Sequence, residues 1–150
     1  MRLFRELGVW LTPTLSTFEA ITACWGNPSR LEQYIADAIA AHLPSETAEG
    51  WRRNRYHTQT GSVADRLTAY TEITRRLYQA GVPMLAGTDG PGIPGMIPVI
   101  AINGEHRAFR SVGLTAFEAL AAATSNAGRF VSEHVQGVTP FGTVSVGGRA

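Results

Sequence analysis

Two short runs of β-forming residues, separated by a long helical stretch, constrain the fold of this chain more than any other feature. The runs are VWLTPTL at residues 9–15 and VPMLAG at residues 82–87. In the first run, Pro13 marks the end of the expected strand. Between them, apolar residues recur at helical spacing. An order of strand, helix and strand is typical of a parallel sheet covered by helices. We therefore expect an α/β fold in which the two runs pair in parallel.

The rest of the chain alternates between amphipathic patterns and polar or glycine-rich segments. Asn27 and Ser62 are helix start signals, and Thr115 with Glu118 forms a T-x-x-E capping box. Two parallel strands make no stable sheet alone, and both chain ends resemble interrupted elements, so we expect a piece of a larger α/β protein. The expected helices are residues 28–44, 62–81, 105–112 and one after Thr115; the expected loops are 45–61 and 88–104, and a new strand begins in 141–150.

The composition indicates one ordinary soluble domain and excludes several functions. The 150 residues are 44% hydrophobic and 17% charged, with a net charge of +1, which gives no reason to expect nucleic acid or an anionic membrane as a partner. No run of about 18 apolar residues exists to span a membrane, and the start lacks the apolar core of a signal peptide. We expect a cytoplasmic protein whose true N-terminus lies upstream of Met1.

The absence of lysine removes further chemistry. All 13 basic residues are arginine, so a Schiff-base lysine, a P-loop lysine and a carbamylated lysine that bridges metals cannot come from this chain. The single cysteine, Cys24, excludes an internal disulfide framework and has no identifiable base beside it. The glycines of residues 87–95 do not predict a phosphate loop, because the interspersed prolines remove N–H donors.

Asp89 is the strongest candidate for a catalytic or metal-binding residue. It follows the apolar run 82–87 directly, and ligands of parallel α/β folds bind at the carboxyl ends of strands. Glycines on both sides of the Thr88–Asp89 pair leave the carboxylate uncrowded. The alternative is that Asp89 is an ordinary turn residue, which is the usual role of aspartate beside glycine.

The histidines show no metal-binding spacing such as H-x-H or H-E-x-x-H. His106 is the best candidate among them for substrate binding, because it follows the Asp89 loop. His57 is a weaker candidate, and His42 and His134 are expected to be solvated residues near helix ends. Trp51 and Tyr56 alternate with arginines, a composition that suits single-stranded nucleic acid or a substrate carboxylate, although a solvated loop explains it more simply.

Four segments together resemble the amidohydrolase superfamily, most closely its imidazolonepropionase-like and prolidase-like members. GVPMLAGTDG at residues 81–90 resembles the family's eighth strand, and GVWLTPTL at residues 8–15 resembles its seventh. GLTAFEALAAATSNAGRF at residues 113–130 is similar to the family's G-L-T-P-x-E-A-L segment. GTVSVGGRA at residues 142–150 is similar to the strand that returns to the small β-domain.

The resemblance implies a partial (β/α)₈ barrel, comprising its last two strand–helix units, with residues 1–140 in the barrel and 141–150 starting the β-domain strand. It implies hydrolysis of carbon–nitrogen bonds in amide, cyclic amide or dipeptide-like substrates with one or two divalent ions, usually zinc. Asp89 takes the position of the family's metal ligand and proton shuttle, and His106 lies near a place where the family often has a histidine. The family's first-strand H-x-H and its other metal ligands are absent, so we expect most of the metal site outside this chain.

Two other classes of function stay open at this point. One is a non-catalytic chain, either a remnant or a half-barrel that assembles with a partner chain; an H-x-H encoded in frame upstream would favour the enzyme instead. The other is an arginine- and aromatic-rich nucleic-acid module, which predicts salt-sensitive binding. The expected partners are a small-molecule substrate and a second copy of the full-length protein, with neither nucleic acid nor membrane among them.

Overall fold

The computed structural model describes residues 2–139 and 141–146. Over these ranges the regular structure is helical, and none of its helices has the length and apolar character needed to cross a membrane. The elements are α1 (Arg2–Glu6), α2 (Leu15–Cys24), α3 (Pro28–Ala40), α4 (Ser45–Arg53), a 3₁₀ turn (Tyr56–Thr58), α5 (Ala64–Gln79), α6 (Ile102–Val112), α7 (Ala116–Ala123) and α8 (Ser125–His134).

The expected α/β fold is wrong, and with it the expectation of a partial (β/α)₈ barrel. The two β-forming runs meet at a single parallel bridge, Leu11 to Met84, and no strand is present in the described ranges. The Leu11 amide donates to the Pro83 carbonyl at 3.0 Å, and the Leu85 amide donates to the Leu11 carbonyl at 2.8 Å. Continuing this parallel ladder in either direction requires the N–H of Pro13 or of Pro83, and proline has none.

The expected strand at the end of the chain is also missing where the structure describes it. Residues 141–146 form bends and a turn, and residues 147–150 lie outside the described part. The carbonyl of Phe141 and the backbone of Gly142 instead lie against α8, close to Gly128 and Thr124. This close approach requires residues without side chains, which Gly128 and Gly142 provide.

Three helices lack clear signals in the sequence. Helix α2 begins directly after the left-handed residue Thr14, whose side chain makes no capping bond. Helix α4 occupies the expected polar loop, because Ala48 and Trp51, three residues apart, bury one face of it. Helix α8 follows α7 after one residue, Thr124.

The helix start signals in the sequence are confirmed. The Asn27 side chain accepts from the Arg30 amide at 3.0 Å, and the Ser62 hydroxyl accepts from the Ala64 amide at 3.2 Å. Thr115 and Glu118 form the reciprocal capping box of α7. Each of these signals acts over two or three residues, so tertiary structure was not needed to predict it.

The chain divides into two compact units, each built from separate segments. The first comprises residues up to Pro13, Glu72–Gly87 and the residues from His106 onward; the second comprises Thr14–Thr71 and Thr88–Glu105. The core of the second unit surrounds Trp51, with Leu31 and Ile35 of α3 packed beside it. In the first unit, Phe109, Val112 and Ala122 are almost completely buried.

Candidate functional site

Asp89 lies in a tight turn of the second unit and is exposed. Its φ of 51° is left-handed, and its carbonyl accepts from the Gly92 amide at 3.1 Å. A side chain on Gly90 would meet the Met96 carbonyl oxygen at 2.6 Å, so glycine is required beside Asp89. Across residues 2–139 and 141–146, no donor is bonded to the Asp89 carboxylate, which leaves its oxygens free to act as a base or a ligand.

The surroundings of Asp89 are held by hydrogen bonds to the loop backbone. The indole of Trp51 donates to the Pro91 carbonyl at 2.6 Å, and the Asn54 amide donates to the Gly92 carbonyl at 2.9 Å. The Thr17 hydroxyl donates to the Thr88 carbonyl at 2.8 Å. These bonds fix the loop on both sides of Asp89 and leave its side chain exposed.

His106 lies on α6 in the first unit and is half-buried. Its Nε2 atom is buried and has no hydrogen-bond partner in the described part of the chain. An orphaned ring nitrogen of this kind can accept a proton, bind a substrate donor or ligate a metal. Asp89 and His106 belong to different units of the chain.

The other candidates suggested by the sequence differ in their surroundings. His57 resembles His106, because its Nδ1 atom is buried without a partner in the described ranges, whereas His42 and His134 are exposed. Cys24 is buried in the core of the second unit, and burial raises the pKa of its thiol, which disfavours the nucleophilic thiolate.

The arginine- and aromatic-rich stretch lies at the end of α4 and the start of the 3₁₀ turn. The expectation that it belongs to a solvated loop is therefore wrong. Trp51 is 1% exposed, so its ring is not available to stack on a base. Arg52 pairs with Glu32 at 3.1 Å, and Arg53 pairs with Glu49 at 3.7 Å. These contacts join α4 to α3 and brace α4 itself.

The described residues do not make a metal site by themselves. Neither range brings three or more histidine, cysteine, aspartate or glutamate side chains close enough to hold an ion, and a protein zinc site needs at least three such ligands. His106 Nε2 and the Asp89 carboxylate are each chemically able to ligate a metal ion. Within the described ranges, however, neither belongs to a group of three such ligands. A catalytic ion would therefore require ligands from outside the described residues.

Glu105 is a buried carboxylate whose burial the sequence did not reveal. It is 0% exposed, and its Oε1 accepts from the Leu15 amide at 3.1 Å. Its Oε2 accepts from the amide and the hydroxyl of Ser16, both at 2.8 Å. Glu105 thus caps the N-terminus of α2, where Thr14 does not, and no local pattern predicts a cap that lies 90 residues away in the sequence.

The pKa of Glu105 is raised from its ordinary value. Burial, which disfavours the charged carboxylate, is the largest cause, and the negative charge of Glu19 adds to it. The hydrogen bonds from Ser16 and Leu15 act in the opposite direction, because they stabilise the carboxylate.

No family model, curated protein or solved structure matches this chain.

Proposed function

We propose that this chain contributes Asp89 to a metal-dependent hydrolase of carbon–nitrogen bonds. The observation that carries the proposal is the free, exposed Asp89 carboxylate, whose loop is held on both sides by side-chain hydrogen bonds to the carbonyls of Thr88 and Pro91. The resemblance of four segments to the amidohydrolase superfamily supports the same assignment, with amides, cyclic amides or dipeptide-like molecules as substrates.

In this proposal Asp89 carries the proton. Its carboxylate takes a proton from the attacking water as the oxygen bonds to the substrate's carbonyl carbon. It then gives that proton to the nitrogen as the carbon–nitrogen bond breaks, so that an acid and an amine are released. The zinc ligands that the resemblance implies come from outside the described residues. The role of His106 as a substrate-binding residue stays a prediction from the sequence; its orphaned Nε2 is the atom that could accept a hydrogen bond.

A second candidate is a non-catalytic chain, and two observations favour it. The described residues lack a group of three metal ligands, and the left-handed Asp89 with its Asp89–Gly92 bond has the geometry of an ordinary turn. In that case Asp89 stabilises the turn and carries no proton.

The experiment compares the 150-residue chain with a longer polypeptide that adds any coding sequence found in frame before Met1. Both are assayed for zinc content and for hydrolysis of an N-acyl amino acid, a dipeptide and a cyclic amide. We expect turnover only in the longer polypeptide. Asp89→Asn should lower its kcat by about 10²–10⁴-fold, because the amide cannot take up the proton.

Asp37→Asn is the matched control, since Asp37 is an exposed aspartate on α3; it should keep the parental rate. Absence of hydrolysis in the longer polypeptide, or near-parental turnover by Asp89→Asn, would overturn the proposal in favour of the non-catalytic chain. Tight zinc binding and hydrolysis by the 150-residue chain alone would contradict the inference that further ligands are needed.

A further inference from the structure

A groove between α2 and α5 lies entirely within the second unit. Phe18 and Ile21, at positions i and i+3, line it from one face of α2, and Trp25, the residue directly after α2, lines it beside them. Leu67 and Tyr70 line it from α5 with the same periodicity. We call this space the α2–α5 groove; its volume is about 200 Å³. An apolar cavity of about 150 Å³ accommodates a benzene molecule, so the groove has room for one ring and a short substituent.

Four of the side chains that line the α2–α5 groove are aromatic: Phe18, Trp25, Tyr56 and Tyr70. On one side of the groove, the rings of Phe18 and Tyr70 contact each other, with ring centroids 4.4 Å apart and planes tilted by 45°. Trp25 and Tyr56 stack at 6.2 Å with an angle of 29°, and the Trp25 indole is held by a 3.1 Å hydrogen bond to the Thr60 carbonyl. A planar ring inside such walls gains offset-stacked or edge-to-face contacts. The walls therefore favour an aromatic ligand over an aliphatic one.

One charged residue, Arg66, lines the α2–α5 groove, and it differs from several other arginines of the chain. Arg52, Arg53, Arg75 and Arg76 are each paired with a glutamate. The guanidinium of Arg66, which is exposed, has neither an ion pair nor a hydrogen bond within residues 2–139 and 141–146. A guanidinium binds a carboxylate through two parallel hydrogen bonds.

We propose that the α2–α5 groove is a binding site for a small aromatic carboxylate, whose ring lies between the aromatic walls and whose acid group pairs with Arg66. The shared chemistry is one aromatic ring joined through a short arm to a carboxylate. A free aryl acid and the C-terminal aromatic residue of a peptide both present it. This site is independent of Asp89 and of hydrolysis.

The test uses 3-phenylpropanoate and its neutral amide as probes, with binding to the full chain followed by saturation-transfer NMR and calorimetry. We expect a dissociation constant of about 1 mM or tighter for the acid, and weaker binding as salt is raised. The amide should bind about tenfold more weakly, because it loses the charge-assisted bonds. N-acetyl-phenylalanine, compared with a peptide that ends in phenylalanine, separates the free acid from the peptide as ligand.

Arg66→Gln should weaken acid binding about tenfold and leave amide binding unchanged. Arg107→Gln, at an exposed arginine outside the groove, should change neither. Thr22→Phe places a ring in the groove and should abolish binding of both probes while circular dichroism stays native. Any of three results would overturn the proposal. They are no binding of the acid at a concentration tenfold above about 1 mM, equal affinities of the chain for the acid and the amide, and binding of either probe to the Thr22→Phe variant.

Discussion

At the residue scale, the buried Glu105 makes stability depend on pH in a direction opposite to that of most carboxylates. A glutamate whose pKa is higher in the folded chain than in the unfolded chain binds more protons when folded. Its stabilising contribution is therefore fully present below the unfolded pKa, about 4.3, and is lost as the pH rises through the folded pKa. Glu72 and Glu118 have lowered pKa values, caused mainly by hydrogen bonds from Arg76 and Thr115 respectively, and their contribution is lost as the pH falls.

Glu105→Gln separates these opposing effects, because only the Glu105 titration disappears. We expect the free energy of unfolding of the parent, minus that of the variant, to decrease as the pH rises from about 4 towards neutrality. Urea unfolding at half-unit pH steps measures this difference. Glu46→Gln, at an exposed glutamate, controls for the change in net charge. A difference that increases with pH would contradict the raised pKa of Glu105.

At the element scale, two glycines inside helices have opposite surroundings. An Ala Cβ at Gly50 in α4 would have no neighbour closer than the Arg53 guanidinium at 3.7 Å, whereas one at Gly128 in α8 would overlap the Phe141 carbonyl oxygen. We expect Gly50→Ala to raise the free energy of unfolding by about 0.5–1 kcal/mol, through the lower entropy of the unfolded chain.

Gly128→Ala should lower the free energy of unfolding by about 1–3 kcal/mol, because backbone has to shift to admit the methyl group. Chemical denaturation of both variants and of the parent shows whether each substitution raises or lowers the free energy of unfolding. Stabilisation by Gly128→Ala comparable to that by Gly50→Ala would show that residues 141 and 142 do not pack on α8.

The elements that could be predicted from sequence are those specified within a few residues. The caps at Asn27, Ser62 and Thr115 are of this kind, and so is the left-handed Gly81 that follows α5. Helix α2 depends on Glu105, which is distant in sequence. The β-forming runs were assigned from side-chain composition, but the length of their pairing is decided by the missing N–H groups of Pro13 and Pro83.

The same limit applies to the candidate site. The sequence predicted Asp89 at the carboxyl end of a buried strand, with an ordinary turn as the alternative; that strand is absent from the described residues, and Asp89 lies exposed in a turn with a free carboxylate. The roles of Asp89 and His106 stay predictions. The α2–α5 groove could not be anticipated, because helix α2 itself was not expected and the distance between Phe18 and Tyr70 depends on tertiary structure.

At the scale of the whole molecule, two helices are shared between the compact units. Helix α5 (Ala64–Gln79) has its first half in the second unit and its second half in the first, and α6 crosses the division at Glu105. If one unit unfolds, at most eight residues of α5 are left to the other. An isolated helix shorter than about 12–15 residues is marginal in water. The units should therefore lose stability together.

This coupling predicts how core substitutions affect distant helices. Leu31→Ala, at a position 1% exposed in the second unit, should cost about 2–5 kcal/mol. Phe109→Ala, at a position 0% exposed in the first unit, should cost about 3–5 kcal/mol. Hydrogen exchange followed by mass spectrometry reports on α3, which lies wholly in the second unit, and on α7, which lies wholly in the first.

Each substitution should reduce protection of the most slowly exchanging amides in both α3 and α7, because these amides exchange only when the shared helices open. Exposed Gln33→Ala on α3, which leaves the core intact, is the control and should change protection in neither helix by a comparable amount. If Leu31→Ala removed protection from α3 while α7 kept its parental rates, the units would open separately. The remaining half of α5 would then have to be stabilised by packing within its own unit, and not by continuity of the helix.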